Sequence, residues 1–182
     1  MSKRESVREK ILQTAVKLLG ECGIRKLAQP LIAKTAGVPQ GHMTYYFPTR
    51  SHLLIAVAER SLESVVEVVL KKAASAGIKA RDSLSLVLPL IKNTSRTRML
   101  IGLLVESDEN GDLRKKLQEQ TDLAYSLVAM ALKREPGDVE VRIAHATLLG
   151  LGIQYYLDES KTAGKSVDDA VQYLIKKLGS KT

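Results

Sequence analysis

The sequence predicts an all-α chain, and three observations carry that expectation. Leu, Val, Ala, Lys and Glu dominate while aromatics make up only 4% and Trp is absent, a composition that favours helix over sheet. Apolar residues recur three and four apart along most of the chain, and no stretch reads credibly as a strand. Gly, Pro and Asn/Asp clusters fall between these periodic stretches and divide them into about nine helices. With 182 residues and 45% hydrophobic content, the chain is long enough for one large or two small cores.

The first predicted helix covers residues 5–22, where Val7, Ile11, Leu12, Ala15, Val16, Leu18 and Leu19 lie on an amphipathic pattern. Ser6, with Glu9 three residues on, has the form of an N-cap, and Gly20 and Gly23 mark the end. Lys3 and Arg4 stand before the first turn, within reach of a phosphate or a minor groove. Residues Leu31 to Arg50, LIAKTAGVPQGHMTYYFPTR, then read as two short helices with a tight break. Gly37 suits a turn that needs positive φ, Val38 drops inward, and a second helix runs from about Pro39 to Phe47. Such a pair forms a helix-turn-helix, whose second helix lies in the DNA major groove.

On that second helix Val38, Met43 and Phe47 face the core, which leaves Gln40, Gly41, His42 and Thr44 for the groove beside Pro39. Gln can pair with adenine, and Thr can meet a base edge or a thymine methyl. Tyr45 and Tyr46 offer phenols to the groove wall, with a half-buried core role as the other reading of Tyr46. Gln29 joins the DNA-facing set from the first helix. Thr49 is placed to cap the next helix, so that Arg50 and a helix N-terminus meet one phosphate.

A long amphipathic helix follows from His52, carrying Leu53, Leu54, Val57, Ala58, Leu62, Val65, Val66, Val69 and Leu70. A break is expected around Gly77, then an apolar helix from Leu84 to Ile91 kinked at Pro89. Thr94 or Ser95 is expected to cap a helix holding the apolar run Met99 to Val105, and Asp108-Glu109-Asn110-Gly111 is a turn. Helices are expected at Asp112–Leu132 and Val139–Leu157, the second with small residues at Ala144, Ala146, Gly150 and Gly152. Ser166-Val167-Asp168-Asp169 has the form of a capping box before a last helix, Val167 to Leu178.

The run Ile32-Ala33, Gly37-Val38, Gly41, Met43, Tyr45-Tyr46-Phe47, Arg50 and Leu53-Leu54 resembles the DNA-binding signature of the tetracycline-repressor (TetR) family. Four places depart from that pattern: Leu27-Ala28 replaces a capping Thr or Ser, Pro30 falls in the first turn, Pro39 replaces a capping Ser, and Thr44 stands where Tyr is commonest. The resemblance implies a helix-turn-helix domain over residues 1–51 and a helical effector-binding and dimerisation domain over 52–182. It implies a homodimer built from Val139–Leu157 and Val167–Leu178, on a palindromic operator with half-sites about 34–36 Å apart. It also implies an effector pocket among the middle helices, for which Val66, Leu88, Met99, Leu103 and Tyr125 are the candidate lining. Those residues suit a small, largely apolar effector, whose binding shifts the dimer toward a form that releases DNA.

Charge agrees with a DNA reader. Residues 1–54 hold nine Lys and Arg against three Glu, whereas the remainder holds 19 basic and 17 acidic groups, out of a net charge of +8. Enzyme chemistry has no set of residues to work with: three His and one Cys are scattered, and neither His42 nor His52 has acidic or thiol neighbours at ligand spacing. No cofactor or metal is implied. A single Cys22 forms no internal disulfide, and neither a signal peptide nor a membrane-spanning run is present, so a cytoplasmic protein is expected. The other reading of the same fold is a DNA-binding regulator that works through a protein partner, or as an activator without a small ligand.

Overall fold

The computed structural model describes residues 3–76 and 88–178. Among those residues the chain forms nine α-helices and no strand. They are α1 Lys3–Cys22, α2 Gln29–Ala36, α3 Gln40–Tyr46, α4 Arg50–Ala76, α5 Leu88–Ile91, α6 Thr94–Glu106, α7 Gly111–Leu132, α8 Val139–Leu157 and α9 Lys161–Leu178. A 3₁₀ turn, Ile24–Lys26, lies between α1 and α2. The helices divide into two compact units, one formed by residues 1–63 with 98–118, the other by 64–97 with 119–182.

In the first unit Ile11, Leu12, Ala15 and Leu19 form the buried stripe of α1. They share one core with Ile32 and Ala33 of α2, Met43 of α3, and Leu53, Leu54 and Val57 of α4. Met99 and Leu103 of α6 and Leu113 and Leu117 of α7 belong to the same cluster. This cluster runs on past residue 51, the boundary expected from the sequence, into α4, α6 and α7. Gly102 permits the close approach of α6: a Cβ there would stand 3.0 Å from Cβ of Ile24. Arg98 donates to the carbonyls of Gly20 at 2.8 Å and Glu21 at 3.0 Å, placing a cation on the C-terminal turn of α1.

The second unit has two apolar clusters. Val128, Ala129 and Leu132 of α7 pack with Val141 and Ala144 of α8. Ile91 of α5 packs with Val167 and Val171 of α9. Arg134, with only 7% of its side chain exposed, pairs with Glu140 at 2.9 Å and donates to the carbonyl of Leu178 at 3.4 Å. One guanidinium thus joins the end of α7, the start of α8 and the last turn of α9. Lys92 pairs with Asp168 at 2.6 Å.

Several helix ends differ from expectation. Helix α1 starts at Lys3, so Ser6 lies inside it and Lys3 and Arg4 occupy its first turn, not a preceding arm. Asn93, and neither Thr94 nor Ser95, caps α6: its Oδ1 accepts from the Arg96 N–H at 3.0 Å. Helix α9 starts at Lys161, where Ser160 Oγ accepts from the Ala163 N–H at 3.1 Å. Ser166 lies within α9, and its hydroxyl donates to the Thr162 carbonyl at 3.1 Å. The expected break at Gly77 and the start of the helix predicted from Leu84 lie outside the described residues. Pro89 is the second residue of the four-residue α5, so no kink is seen within that helix.

Removing the Arg134 side chain leaves Glu140 and a helix-terminal carbonyl without their partner. Arg134→Ala is expected to lower unfolding stability by about 3 kcal/mol in a urea titration. A loss below about 0.5 kcal/mol would show that the pair does not hold these helix ends.

Candidate nucleic-acid interface

Helix α2 ends at Gly37, which sits in the left-handed region at φ 61° and ψ 42°. Val38 N–H donates to the Ala33 carbonyl at 3.0 Å and Gly37 N–H to that of Lys34 at 3.1 Å, the paired bonds of a Schellman turn. The chain then turns through Pro39, which starts α3 with no side-chain cap. Met43 and Phe47 are fully buried and Val38 packs against the same core, so one face of α3 is fixed inward.

The opposite face is open. Pro39, Gln40, Gly41, His42 and Thr44 are exposed, and Tyr45 is 75% exposed. Thr44 donates its hydroxyl to the Gln40 carbonyl at 3.2 Å, which leaves its methyl as the group without a hydrogen-bonding task. Tyr45 stands edge-on to Tyr46, with ring centroids 5.0 Å apart. Tyr46 is half-buried and packs on the core.

Two residues expected on DNA are engaged within the protein. Gln29 donates its amide to the Phe47 carbonyl at 2.9 Å, tying the start of α2 to the end of α3. Arg50 forms a bidentate pair with Glu106, at 3.1 and 3.0 Å, and donates to the carbonyls of Leu27 and Ile24. Its guanidinium is turned onto the unit itself and not toward a phosphate. Thr49 does cap α4, accepting from the His52 N–H at 3.2 Å. The side chains of Lys3 and Arg4 lie outside the described ones.

Two other cations lie beside the helix-turn-helix. Lys34, in the last turn of α2, is exposed. Lys10 of α1 reaches the helix-turn-helix break, with Nζ 3.8 Å from where a Cβ on Gly37 would stand. Both belong to the basic excess of residues 1–54, but nothing local in the sequence separates them from Arg50.

The candidate effector residues fall on both units. Met99 and Leu103 are core of the first unit. Leu88 packs with Ile91, Val167 and Val171, whereas Tyr125 packs with the Val128–Val141 cluster and Val66 is half-buried on α4. Apolar spacing identified buried positions, and core and lining share that spacing. Tyr125 stacks edge-on with His145, centroids 4.8 Å apart. Burial, and then the positive charge of Arg96, lower the pKa of His145. Among the described residues no helix is long and apolar enough to cross a membrane, and no group of three His, Cys, Asp or Glu side chains is placed to hold a metal ion.

Residues 11–57 match the model of a family described as bacterial regulatory proteins, tetR family. The uncharacterized HTH-type transcriptional regulator YvdT of Bacillus subtilis is 36% identical over 61 residues, covering 34% of this chain and 31% of that one. The nucleoid occlusion factor SlmA of Haemophilus ducreyi is 30% identical over 116 residues, covering 58% of this chain and 57% of that one. The chain thus spans 31% and 57% of the length of these curated relatives. A protein from Saccharomonospora viridis, described as a transcriptional regulator in complex with choline, shares the fold with a TM-score of 0.82 at 19% identity. That similarity covers 95% of this chain and 97% of the other.

Two measurements check this geometry. Arg50→Ala should cost about 1–2 kcal/mol of stability, for lost charge-assisted bonds at a partly exposed site, and leave the salt dependence of DNA binding unchanged. Lys34→Ala should leave stability within about 0.5 kcal/mol and reduce the slope of log K against log salt by about one. The reverse pattern would return Arg50 to the phosphate and remove Lys34 from it. For His145 the folded-state pKa lies below its ordinary value of 6.5, so the unfolded chain takes the proton first as pH falls. Its contribution is complete above that value and is lost toward lower pH. Urea midpoints between about pH 7 and 5 should decline less in His145→Gln than in the unaltered chain, and parallel curves would exclude the effect.

Proposed function

We propose, from the premise that residues 11–57 are a DNA-binding domain of the tetR family, that this chain is a transcriptional regulator acting as a homodimeric repressor on a palindromic operator. The observation that carries the reading is the open row on α3. Gln40, His42, Thr44 and Tyr45 are exposed on a helix whose other face is locked by Met43 and Phe47. The row offers an amide for adenine, a methyl for thymine and a phenol for the backbone, with Lys10 and Lys34 as phosphate partners.

Helix α8 supports the dimer. It buries Val141, Ala144 and Gly152 within the chain, yet Val139, Ile143, Ile153 and Leu157 are 63, 50, 44 and 78% exposed. Ala146 and Gly150 lie along the same stripe, a row of small residues that lets a second helix approach closely. An apolar second face on a helix of this length favours a self-complementary, two-fold interface with the same helix of another copy. Two copies of α3 then meet half-sites one helical turn apart.

A small effector releases the operator by favouring a dimer whose readers no longer fit successive grooves. The protein in complex with choline supports small-ligand binding on this fold.

Fluorescence anisotropy with DNA flanking this protein's own gene tests the reading. Tight binding to a palindrome is expected, with two protomers per site and affinity that falls as salt rises. Gln40→Ala/Tyr45→Ala should weaken that binding at least tenfold, since each specific contact is worth about 1–3 kcal/mol. Equal affinity for the palindrome and a scrambled duplex would remove α3 as a sequence reader.

A further inference from the structure

We propose that the second unit holds a site for an amphipathic carboxylic acid, with Arg96 binding the carboxylate and Tyr125 lying against the apolar body. This rests on the effector-sensing reading and gives it a chemical class.

Arg96 lies in the first turn of α6, its backbone held by Asn93. Its Nε is buried and meets no acceptor, and among the described residues no carboxylate pairs with the guanidinium. A buried donor without an acceptor is costly. Arg134, in the same unit and also buried, shows the usual arrangement, with Glu140 and a carbonyl on its guanidinium. Gln120 supplies a second case: its Nε2 is also buried with no acceptor. Gln120 precedes Tyr125 on α7 by about 7.5 Å of helix.

The surroundings carry the same sign. His145 feels the charge of Arg96 and stacks on Tyr125. The guanidinium of Arg142 stands 5.8 Å from the Tyr125 ring centre. The guanidinium of Arg142 and the imidazole of His145 thus stand beside one aromatic ring, and neither Arg96 nor Arg142 is in an ion pair with an acid among the described residues. Donors in excess call for a ligand that brings acceptors. A carboxylate matches the guanidinium fork with two oxygens in one plane. The rest of the ligand is apolar, because Tyr125 packs into the cluster of Val128, Leu132 and Val141. A cationic ligand, such as the choline bound by the Saccharomonospora protein, would meet the charge of Arg96.

The test titrates the full chain with three compounds of one shape, 4-phenylbutyrate, 4-phenylbutanamide and 4-phenylbutylamine, read by calorimetry and by release of operator DNA. The acid should bind at least about tenfold more tightly than the amide or the amine. Arg96→Met should lose that preference and, by removing a buried donor that has no acceptor, raise the melting temperature of the unliganded protein. A lowered melting temperature would make Arg96 a structural residue and overturn the proposal. If Arg96→Met does not fold, Arg96→Lys keeps the charge without the planar fork and should weaken the acid selectively. Equal binding of all three compounds, preference for the amine, or no binding of the acid would each overturn the proposal. Acid binding that leaves the operator bound would instead uphold the site and remove the effector-release reading.

Discussion

The guanidinium of Arg50 is the fixed point of the unit that carries the helix-turn-helix. It is the first residue of α4, and it reaches the carbonyls of Ile24 and Leu27 on one side and Glu106 of α6 on the other. Those two carbonyls belong to the turn that delivers the chain into α2, a helix with no side-chain cap at Ala28. A missing cap leaves the first N–H groups of a helix to water and its entry angle poorly determined. Arg50 fixes the entry from outside. Gln29 then carries the constraint from the first turn of α2 to the Phe47 carbonyl, just past the end of α3. The two ends of the helix-turn-helix are therefore held by side chains that bond to backbone, while Gly37 sets the angle between its helices.

This division of labour explains how much of the site was legible in the sequence. The inward face of α3 was readable because Val38, Met43 and Phe47 obey helical spacing around a Gly turn, a local rule. The outward face followed by subtraction. The role of Arg50 was not readable, because its partners lie 23, 26 and 56 residues away. An arginine that binds a phosphate and one that binds a glutamate look alike in a sequence. Capping went the same way. Ser6 and Ser166 have the spacing of caps, but a serine inside a helix can return its hydroxyl to the preceding turn, as Ser166 does to Thr162. Asn93 and Ser160 cap their helices without a capping-box partner to announce them.

The pocket residues were the least legible part, for a reason that also limits periodicity elsewhere. Met99, Leu103, Leu88 and Tyr125 are apolar at buried spacing, and all are at least half-buried. Burial, however, does not say which cluster a residue joins. The exposed apolar face of α8 illustrates the converse. Val139, Ile143, Ile153 and Leu157 share the composition of a core, and only their exposure separates them from Val141 and Ala144 on the same helix. Among the described residues nothing covers that stripe, and spacing alone does not reveal this.

Polar groups are more informative than apolar ones in such a setting, because their requirements are specific. Arg134 and Arg96 are the same side chain in one unit, and they differ in what surrounds them. Arg134 sits where helices α7, α8 and α9 come together and has acidic and carbonyl acceptors to spend its donors on. It does what a buried arginine does for a fold. Among the described residues Arg96 has none of these, and its buried Nε meets no acceptor. A buried donor with no acceptor weakens an unliganded protein and strengthens a complex that supplies the acceptor, by the same interaction. Any ligand that supplies the missing acceptors therefore binds and stabilises at once, which is the differential affinity that a ligand-driven population shift requires.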